Sequence, residues 1–165
     1  MNVTTKTTPP MQAKSMPSEV YDSFYELFLY EALEQLILKH KEKQSPFAEL
    51  INDVSQIGQS IGRKIIDLLV RDMQVKFQTQ LDTMKFICTE FWKFTFAKAV
   101  DNLRTNNAGT FIMTDDSFKF IARVSSSDHE SREFKDKIKT YEAFVVGLIK
   151  GALVNLGYDQ VPPIV

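Results

Sequence analysis

The sequence reads IGQSIG at positions 57–62 and VGLIKGA at positions 146–152, and these two stretches decide how the chain packs. In each stretch two glycines stand four residues apart: Gly58 with Gly62, and Gly147 with Gly151. Residues at this spacing share one face of a helix. A glycine inside a helix costs roughly 1 kcal/mol relative to alanine, and close packing must offset that loss. We therefore predict four close-packing glycines, which indicate a compact scaffold before they indicate chemistry.

Length, composition and charge indicate a single globular domain. The 165 residues, 44% of them hydrophobic and 25% charged, are enough to bury a core without disulfides or a metal. Twenty basic and 21 acidic residues leave a formal charge of -1, which gives no field for attracting a polyanion, so we predict no general binding of nucleic acid. The single cysteine excludes an internal disulfide framework and fits a reducing compartment, so we expect a cytoplasmic protein.

The apolar pattern predicts one folded domain between two tails. The longest hydrophobic stretch, 144–156, is interrupted by a lysine and an asparagine and is shorter than the roughly 18 apolar residues of a membrane span, so no span is expected. Residues 1–17 are rich in Thr, Ser and Pro and predict a disordered N-terminal tail. We expect a single domain over residues 18–157 and a short C-terminal tail over residues 158–165.

Apolar residues at helical spacing predict four helices. The first runs from Ser18 to about Lys41, and its apolar face is too wide for one neighbour, so we expect one side in the core and another against a partner. A helix sunk deep within the domain is the alternative. The others run from Ser45-Pro46 through Val70, from Thr79 to about Ala97, where a strand competes from Trp92, and from beyond a polar loop at 125–132 to about Leu156, with Gly157 as the cap.

Between the third and the last helix the pattern changes to that of strands. Alternation and turn-rich separators predict three strands in two hairpins: Val100 to Thr105, Thr110 to Thr114 and Phe118 to Val124. The even-numbered side chains of the last strand would share one face, and helices would cover one side of the sheet. The fold class is therefore α+β.

The sequence contains no motif for catalysis or cofactor binding. The P-loop, the dinucleotide-binding Gly-x-Gly-x-x-Gly and the zinc-protease His-Glu-x-x-His patterns are all missing. His40 is expected to be a solvated helix-end residue. Asp115 and Asp116 are expected to form a turn rather than an acid–base pair, and Cys88 to be a buried small hydrophobe rather than a nucleophile. The adjacent side chains of DHE at 128–130 would splay apart, so we predict no metal site.

Phenylalanine is abundant, with 13 in 165 residues, many of them in the middle of the chain. Each aromatic side chain buries about 150–250 Å². The sheet edges and the broad first helix still leave surface that needs cover, so we expect a stable partner subunit. Helical register places the following residues on the partner face or in the core behind it: Phe24, Phe28, Leu29, Ile65 and Leu69.

Several segments of the sequence resemble the small core subunits of the TRAPP vesicle-tethering complex. They are GQSIGRKIID at 58–67, GLIKGAL at 147–153, MKFIC at 84–88 with FW at 91–92, and DNLRTN at 101–106 with Gly109. The first two resemble the helix motifs shared by the family, although Asp67 stands where glutamate is expected. The others resemble the subunit-six type within that family. The resemblance covers about residues 18–157.

This resemblance implies a mixed plait, with helices on one face of a small antiparallel sheet, and no catalytic residue, cofactor or metal. It implies a heterodimer with a sister TRAPP subunit through helices near the start of the domain. The complex tethers vesicles in ER-to-Golgi and intra-Golgi traffic and promotes nucleotide exchange on a Rab-family GTPase. The chain would be a cytoplasmic, non-catalytic adaptor that meets Golgi and endoplasmic reticulum membranes only peripherally, through the complex.

The sequence departs from the family pattern in two places. That pattern continues into a further strand, whereas this sequence stops at Val165 after Pro162-Pro163, so the final family strand is expected to be missing. Acylated sister subunits have a cysteine shortly after the first glycine helix, and residues 71–79 contain none, so no acyl group is carried over. The alternative function is a small-molecule or acyl-chain-binding module of the same fold. An enzyme acting alone has no motif to support it.

Overall fold

Helices make up most of the described chain, which in this computed structural model comprises residues 18–74, 76–106, 109–124 and 131–158. The predicted N-terminal tail, the DHE segment at 128–130 and residues 159–165 lie outside that part. In chain order the elements are α1 (Ser18–Glu42), α2 (Phe47–Met73), α3 (Gln80–Phe86), a π-helix (Ile87–Phe91), α4 (Trp92–Phe96), β1 (Asn102–Thr105), β2 (Phe111–Thr114), α5 (Lys119–Ala122) and α6 (Arg132–Asn155). The helices expected from the apolar pattern are all present, and their ends agree to within three residues.

Helices α2 and α6 pack backbone to backbone along the two glycine pairs. A Cβ atom built on any of these glycines would lie only 2.1–2.4 Å from a backbone carbonyl oxygen of the opposite helix. The contacts are Gly58 with Phe144, Gly62 with Leu148, Gly147 with Ser55, and Gly151 with Gln59. Since real Cβ atoms essentially never approach a neighbour within 3.0 Å, only glycine fits at these positions without a shift of one helix.

The third predicted helix contains a π-helical turn. It begins with a capping box, in which the Asp82 amide donates to the Thr79 hydroxyl and the Thr79 amide donates to the Asp82 carboxylate, both at 3.1 Å. The π-helix follows α3, and within it the carbonyl oxygen of Cys88 accepts a hydrogen bond from the amide of Val100 at 2.8 Å. This bond ties the segment that leads into β1 back onto the helix.

The described part of the sheet is one antiparallel hairpin. Strands β1 and β2 pair with Asn102 opposite Thr114 and Thr105 opposite Phe111. Side chains on one face of the hairpin are half-buried, and Met113 on that face packs against the core. The first two predicted strands are therefore confirmed, with bounds that are shorter by one or two residues at their beginnings.

The third predicted strand, Phe118 to Val124, is wrong, because α5 occupies this segment. Phe120 and Val124 are both buried, and their spacing of four residues places them on one face of a helical turn. The Phe120 carbonyl oxygen accepts a hydrogen bond from the Tyr30 hydroxyl at 2.8 Å, and the two rings stack with centroids 5.2 Å apart. The spacing of the apolar residues is compatible with both a strand and a helix, and the observed helix packs on α1 through Phe120. The α+β class is confirmed with a smaller sheet than expected.

A cluster of aromatic rings joins α5 to the longer helices. Neighbouring rings have centroids 4.7–6.2 Å apart, mostly in tilted or edge-to-face arrangements. The members are Tyr30, Trp92, Phe96, Phe118, Phe120, Tyr141 and Phe144. The cluster places four of the 13 phenylalanines of the sequence in or against the core of the chain.

The last helix ends as its sequence predicts. Gly157 has a φ of +91°, in the left-handed region that favours glycine. The amide of Tyr158 donates to the carbonyl oxygen of Leu153 at 3.0 Å, and the amide of Gly157 donates to that of Val154 at 3.1 Å. These two bonds form a Schellman motif, which confirms Gly157 as the residue that terminates α6.

Candidate functional site

Helix α1 has two apolar faces, and only one of them is buried. The inner face consists of Leu29, Leu33 and Ile37, which are at most 8% exposed. On the outer face, Phe24, Leu27 and Phe28 are 69%, 67% and 64% exposed. We call these three residues the outer patch. Large apolar side chains clustered in the open are typical of a protein interaction surface, whereas single exposed apolar residues need no such explanation.

The five residues predicted for the partner face, or for the core behind it, lie either in the outer patch or in and against the core. Phe24 and Phe28 belong to the outer patch. Leu29 is buried in the core, and Ile65 and Leu69 of α2 are partly buried against that core. The prediction omits Leu27, although its spacing of three residues from Phe24 was a signal that could have found it.

Contacts with α5 hold the outer half of α1 in place. Besides the bond from Tyr30 to Phe120, the Arg123 guanidinium forms an ion pair with the Glu26 carboxylate. Burial raises the pKa of Tyr30, so its hydroxyl keeps the proton that it donates. These two contacts attach the helix that carries the outer patch to the rest of the domain.

An open cleft of about 650 Å³ lies where the end of α1, the start of α2 and the start of α6 meet. We call it the junction cleft. Its charged side chains are paired across the cleft or along α6: Lys41 with Glu133, Lys137 with Glu34, and Arg132 with Asp136. The hydrogen bond from Lys41 holds the pKa of Glu133 below its usual range. The cleft thus carries balanced charge, three cations against three carboxylates, and Ile37, Phe47 and Leu50 add apolar surface to its lining.

The expectation that His40 is solvated is wrong. The residue is only 8% exposed, and its Nε2 lies 3.3 Å from the Asp53 carboxylate of α2. Among the described residues, Nδ1 of His40 has no hydrogen-bond partner. Only residues 43–46 connect α1 to α2, so the last turn of α1, which carries His40, lies close to the Asp53 side chain of α2.

Asp115 holds the hairpin onto the third helix and does not form a catalytic pair. Its carboxylate accepts hydrogen bonds from the Trp92 indole at 3.0 Å and from the Lys98 ammonium at 2.5 Å. Lys98 also donates to Asp101 at 2.6 Å, and these two bonds raise the pKa of Lys98. The bond from Lys98 lowers the pKa of Asp101 in turn. Asp116 follows as part of the predicted turn, and its amide donates to Asp101 at 2.9 Å.

The free thiol is buried, and the described part of the chain brings together no cluster of side chains suited to a metal ion. Cys88 is buried, as predicted, and burial raises the pKa of its thiol to about 11. Across the described ranges, no group of three or more His, Cys, Asp or Glu side chains could hold a metal ion. No described helix combines the length and the apolar character needed to cross a bilayer.

Known proteins resemble this chain over most of its length. The family model for the transport protein particle (TRAPP) component matches residues 25–163. The chain is 29% identical over 134 residues to trafficking protein particle complex subunit 6b of Danio rerio, a match that covers 81% of this chain and 82% of that protein. It is 34% identical over 111 residues to subunit 6B of Homo sapiens, covering 67% of each chain. With subunit 6A of Homo sapiens the identity is 33% over 106 residues, which is 64% of this chain and 61% of that protein.

Proposed function

This chain belongs to the family of transport protein particle (TRAPP) components, and from that premise we propose that it is a non-catalytic structural subunit of the TRAPP vesicle-tethering complex. In this role it forms a heterodimer with a sister small subunit. The assembled complex then promotes nucleotide exchange on a Rab-family GTPase in ER-to-Golgi and intra-Golgi traffic, and the chain contributes by holding other subunits in place. Its site of action is the cytoplasmic surface of those membranes, which it meets only through the complex.

The outer patch is the observation that carries this proposal. Two phenylalanine side chains offer about 300–500 Å² of surface between them, and roughly two thirds of it is still uncovered in the chain alone. A standard interface buries about 800 Å² on each partner, so the patch supplies a substantial part of one. Ile65 and Leu69 of α2 are partly buried against the same core as Leu29, and we include them in the proposed partner face.

The chemistry of the described residues favours an adaptor over an enzyme. Several titratable groups with shifted pKa values are engaged in structural contacts: Lys98 and Asp101 in the ion pairs at the base of the hairpin, and Glu133 in an ion pair with Lys41. Tyr141 is buried and donates to Glu34 at 2.9 Å, which raises its pKa. Of these four groups, Glu133 lines the junction cleft, where it is paired with Lys41.

Mixing the purified chain with a sister TRAPP small subunit tests the proposal. Light scattering should show a complex with the mass of one copy of each chain. Phe28→Glu should abolish that complex while leaving the circular dichroism spectrum unchanged, because the replaced ring is 64% exposed in the chain alone. Phe94→Glu is the matched control, since Phe94 is an equally large side chain, 54% exposed, on α4.

Two outcomes would contradict the proposal. If wild-type protein gives only the masses of the separate chains with every sister subunit tried, the adaptor role is wrong. If Phe28→Glu and Phe94→Glu weaken the complex to the same extent, the partner face is not the outer patch.

A further inference from the structure

Ser45 and Pro46 lie in the short connection between α1 and α2, residues 43–46. Lys43, Gln44 and Pro46 are exposed, and Ser45 itself is half-buried at the edge of the junction cleft. Its amide donates to the carbonyl oxygen of His40 at 3.1 Å, which fixes the backbone. Its hydroxyl, in contrast, makes no hydrogen bond to any described residue. A serine followed by proline, with a free hydroxyl in a connecting segment, is a substrate pattern for proline-directed protein kinases.

Cationic side chains line the junction cleft together with Ser45. Lys41 and Arg132 line the same cleft and are 56% and 95% exposed, paired with carboxylates that are also partly or largely exposed. Exposed ion pairs of this kind contribute only about 0–1 kcal/mol, so the cations can exchange partners at little cost. His40 lines the cleft as well, with a side chain that is 10% exposed and an Nδ1 that lacks a partner among the described residues.

The beginning of α2 adds a second attraction for an anion at this place. Pro46 is the N-cap residue, and no side chain caps the helix. The first amides of a helix carry a partial positive charge that favours a nearby anion. A phosphate group carries a charge of about -1.5 to -2 and three acceptor oxygens, so it satisfies both the uncapped amides and the cations of the cleft.

We propose that Ser45 is a phosphorylation site whose phosphate is held in the junction cleft by Lys41, Arg132 and the first turn of α2. A proline-directed kinase supplies the reaction. The Ser45 hydroxyl oxygen attacks the γ-phosphorus of ATP, the bond to the β-phosphate oxygen breaks with release of ADP, and the hydroxyl proton passes to the kinase's base. The product joins the connection between α1 and α2 to the start of α6. This proposal does not depend on membership of a complex.

The competing effect is repulsion from the three carboxylates that line the same cleft, Glu34, Glu133 and Asp136, the first of which is paired with Lys137. Glu133 is 74% exposed and carries a single charge, so water screens it and it can turn away from the phosphate. The dianion forms stronger, charge-assisted hydrogen bonds with the cations than a carboxylate does. We therefore expect attraction to win, and phosphorylation to stabilise the fold rather than to loosen it.

The first arm of the test asks whether the folded chain is modified at this serine. The sequence has one other Ser/Thr-Pro dipeptide, Thr8-Pro9, so the protein carries Thr8→Ala as its background. Incubation with a proline-directed kinase and ATP should add one phosphate, which peptide mapping assigns to Ser45. Ser45→Ala in the same background should take up none. A folded protein that stays unmodified, or that is modified elsewhere to the same extent, would overturn the proposal.

The second arm asks whether the phosphate docks in the cleft. The phosphorylated protein should melt about 2–4 °C higher than the unmodified protein, the shift expected when a domain of this size gains about 1 kcal/mol. The gain should vanish in the double variant Lys41→Gln, Arg132→Gln and remain in the control Lys43→Gln, which removes an exposed cation outside the cleft lining. A melting temperature that falls, stays unchanged, or rises equally in the double variant would overturn the docking.

Discussion

Replacing Gly62 with alanine should push the two central helices apart. The new Cβ would lie 2.1 Å from the carbonyl oxygen of Leu148, 2.8 Å from its carbonyl carbon and 2.9 Å from its Cα. All three are backbone atoms, so no side-chain rotation can relieve the clash. Ordinary van der Waals contact begins at 3.4 Å, and the helices must therefore separate by about 1 Å at this crossing.

The magnitude follows from two opposing effects. Alanine favours the helix by about 1 kcal/mol relative to glycine. A gap of 0.5–1 Å forfeits roughly a quarter to a half of each dispersion contact, and about fifty atom pairs at about 0.15 kcal/mol each then lose roughly 2–4 kcal/mol. The net destabilisation should be about 1–3 kcal/mol, which agrees with the usual cost of overfilling a packed core. The melting temperature should fall by about 2–12 °C.

Urea denaturation followed by circular dichroism measures this change directly. Ser60→Ala is the matched control, because Ser60 lies between the two glycines of α2 on its exposed face. It should shift the free energy of unfolding by only a few tenths of a kcal/mol. If Gly62→Ala proves as stable as Ser60→Ala, the close approach of α2 and α6 is not what stabilises this fold.

Three further predictions concern the ion pairs of Lys98, the hydrogen bond from Trp92 to Asp115 and the buried thiol of Cys88. Lys98→Gln should destabilise the chain only at pH values where the ion pairs of Lys98 exist. Because the pKa of Lys98 is raised on folding, the stability that Lys98 contributes is complete below pH 10.5 and is lost as pH rises through the folded pKa. Because the pKa of Asp101 is lowered on folding, the stability that Asp101 contributes is complete above pH 3.8 and is lost as pH falls through the folded pKa. Urea midpoints of variant and wild type should thus differ at neutral pH and converge in strong acid, and a difference that persists in acid would argue against the ion pairs. Trp92→Phe should cost about 1–3 kcal/mol in urea melts, because the buried carboxylate of Asp115 loses its indole donor, and an unchanged midpoint would show that bond to be unimportant. Cys88, whose pKa burial raises to about 11, should resist iodoacetamide in the native protein and react once urea unfolds it; rapid native alkylation seen by mass spectrometry would contradict its burial.

Local pattern predicts the helices and the glycine contact of this chain well. Apolar spacing gives the ends of the long helices to within three residues, because the boundaries depend on nearby signals such as Thr79 and Gly157. The glycine pairs point to a close approach because their cost must be offset somewhere. Local sequence does not indicate which two helices approach each other, and the pairing of α2 with α6 is known only from the structure.

Tertiary contacts decide the features that the sequence does not predict. Apolar residues alternate from Phe118 to Val124 as in a strand. The segment is nevertheless helical, and its Phe120 carbonyl oxygen accepts a hydrogen bond from the Tyr30 hydroxyl of α1. His40 looks like a solvated helix end until Asp53 of the next helix covers it. Within the π-helical turn, the Cys88 carbonyl oxygen accepts a hydrogen bond from the amide of Val100, twelve residues further along the chain.

The two faces of α1 show the same limit for the candidate site. Apolar residues cover so much of this helix that spacing alone could not separate core from partner face. Leu29 and Phe28 are neighbours in the sequence, and one is 6% exposed while the other is 64% exposed. Tertiary contacts with α2, α6 and α5 determine which side of the helix is buried, and α5 is the element that the sequence pattern misassigns.

Hydrogen–deuterium exchange of the chain alone and in the presence of a sister TRAPP small subunit tests the proposed partner face most directly. We predict that amides over residues 24–31 and 65–73 exchange more slowly in the mixture, while those of the hairpin over residues 102–114 keep their rates. Protection confined to the hairpin, or equal rates in both samples, would contradict the account.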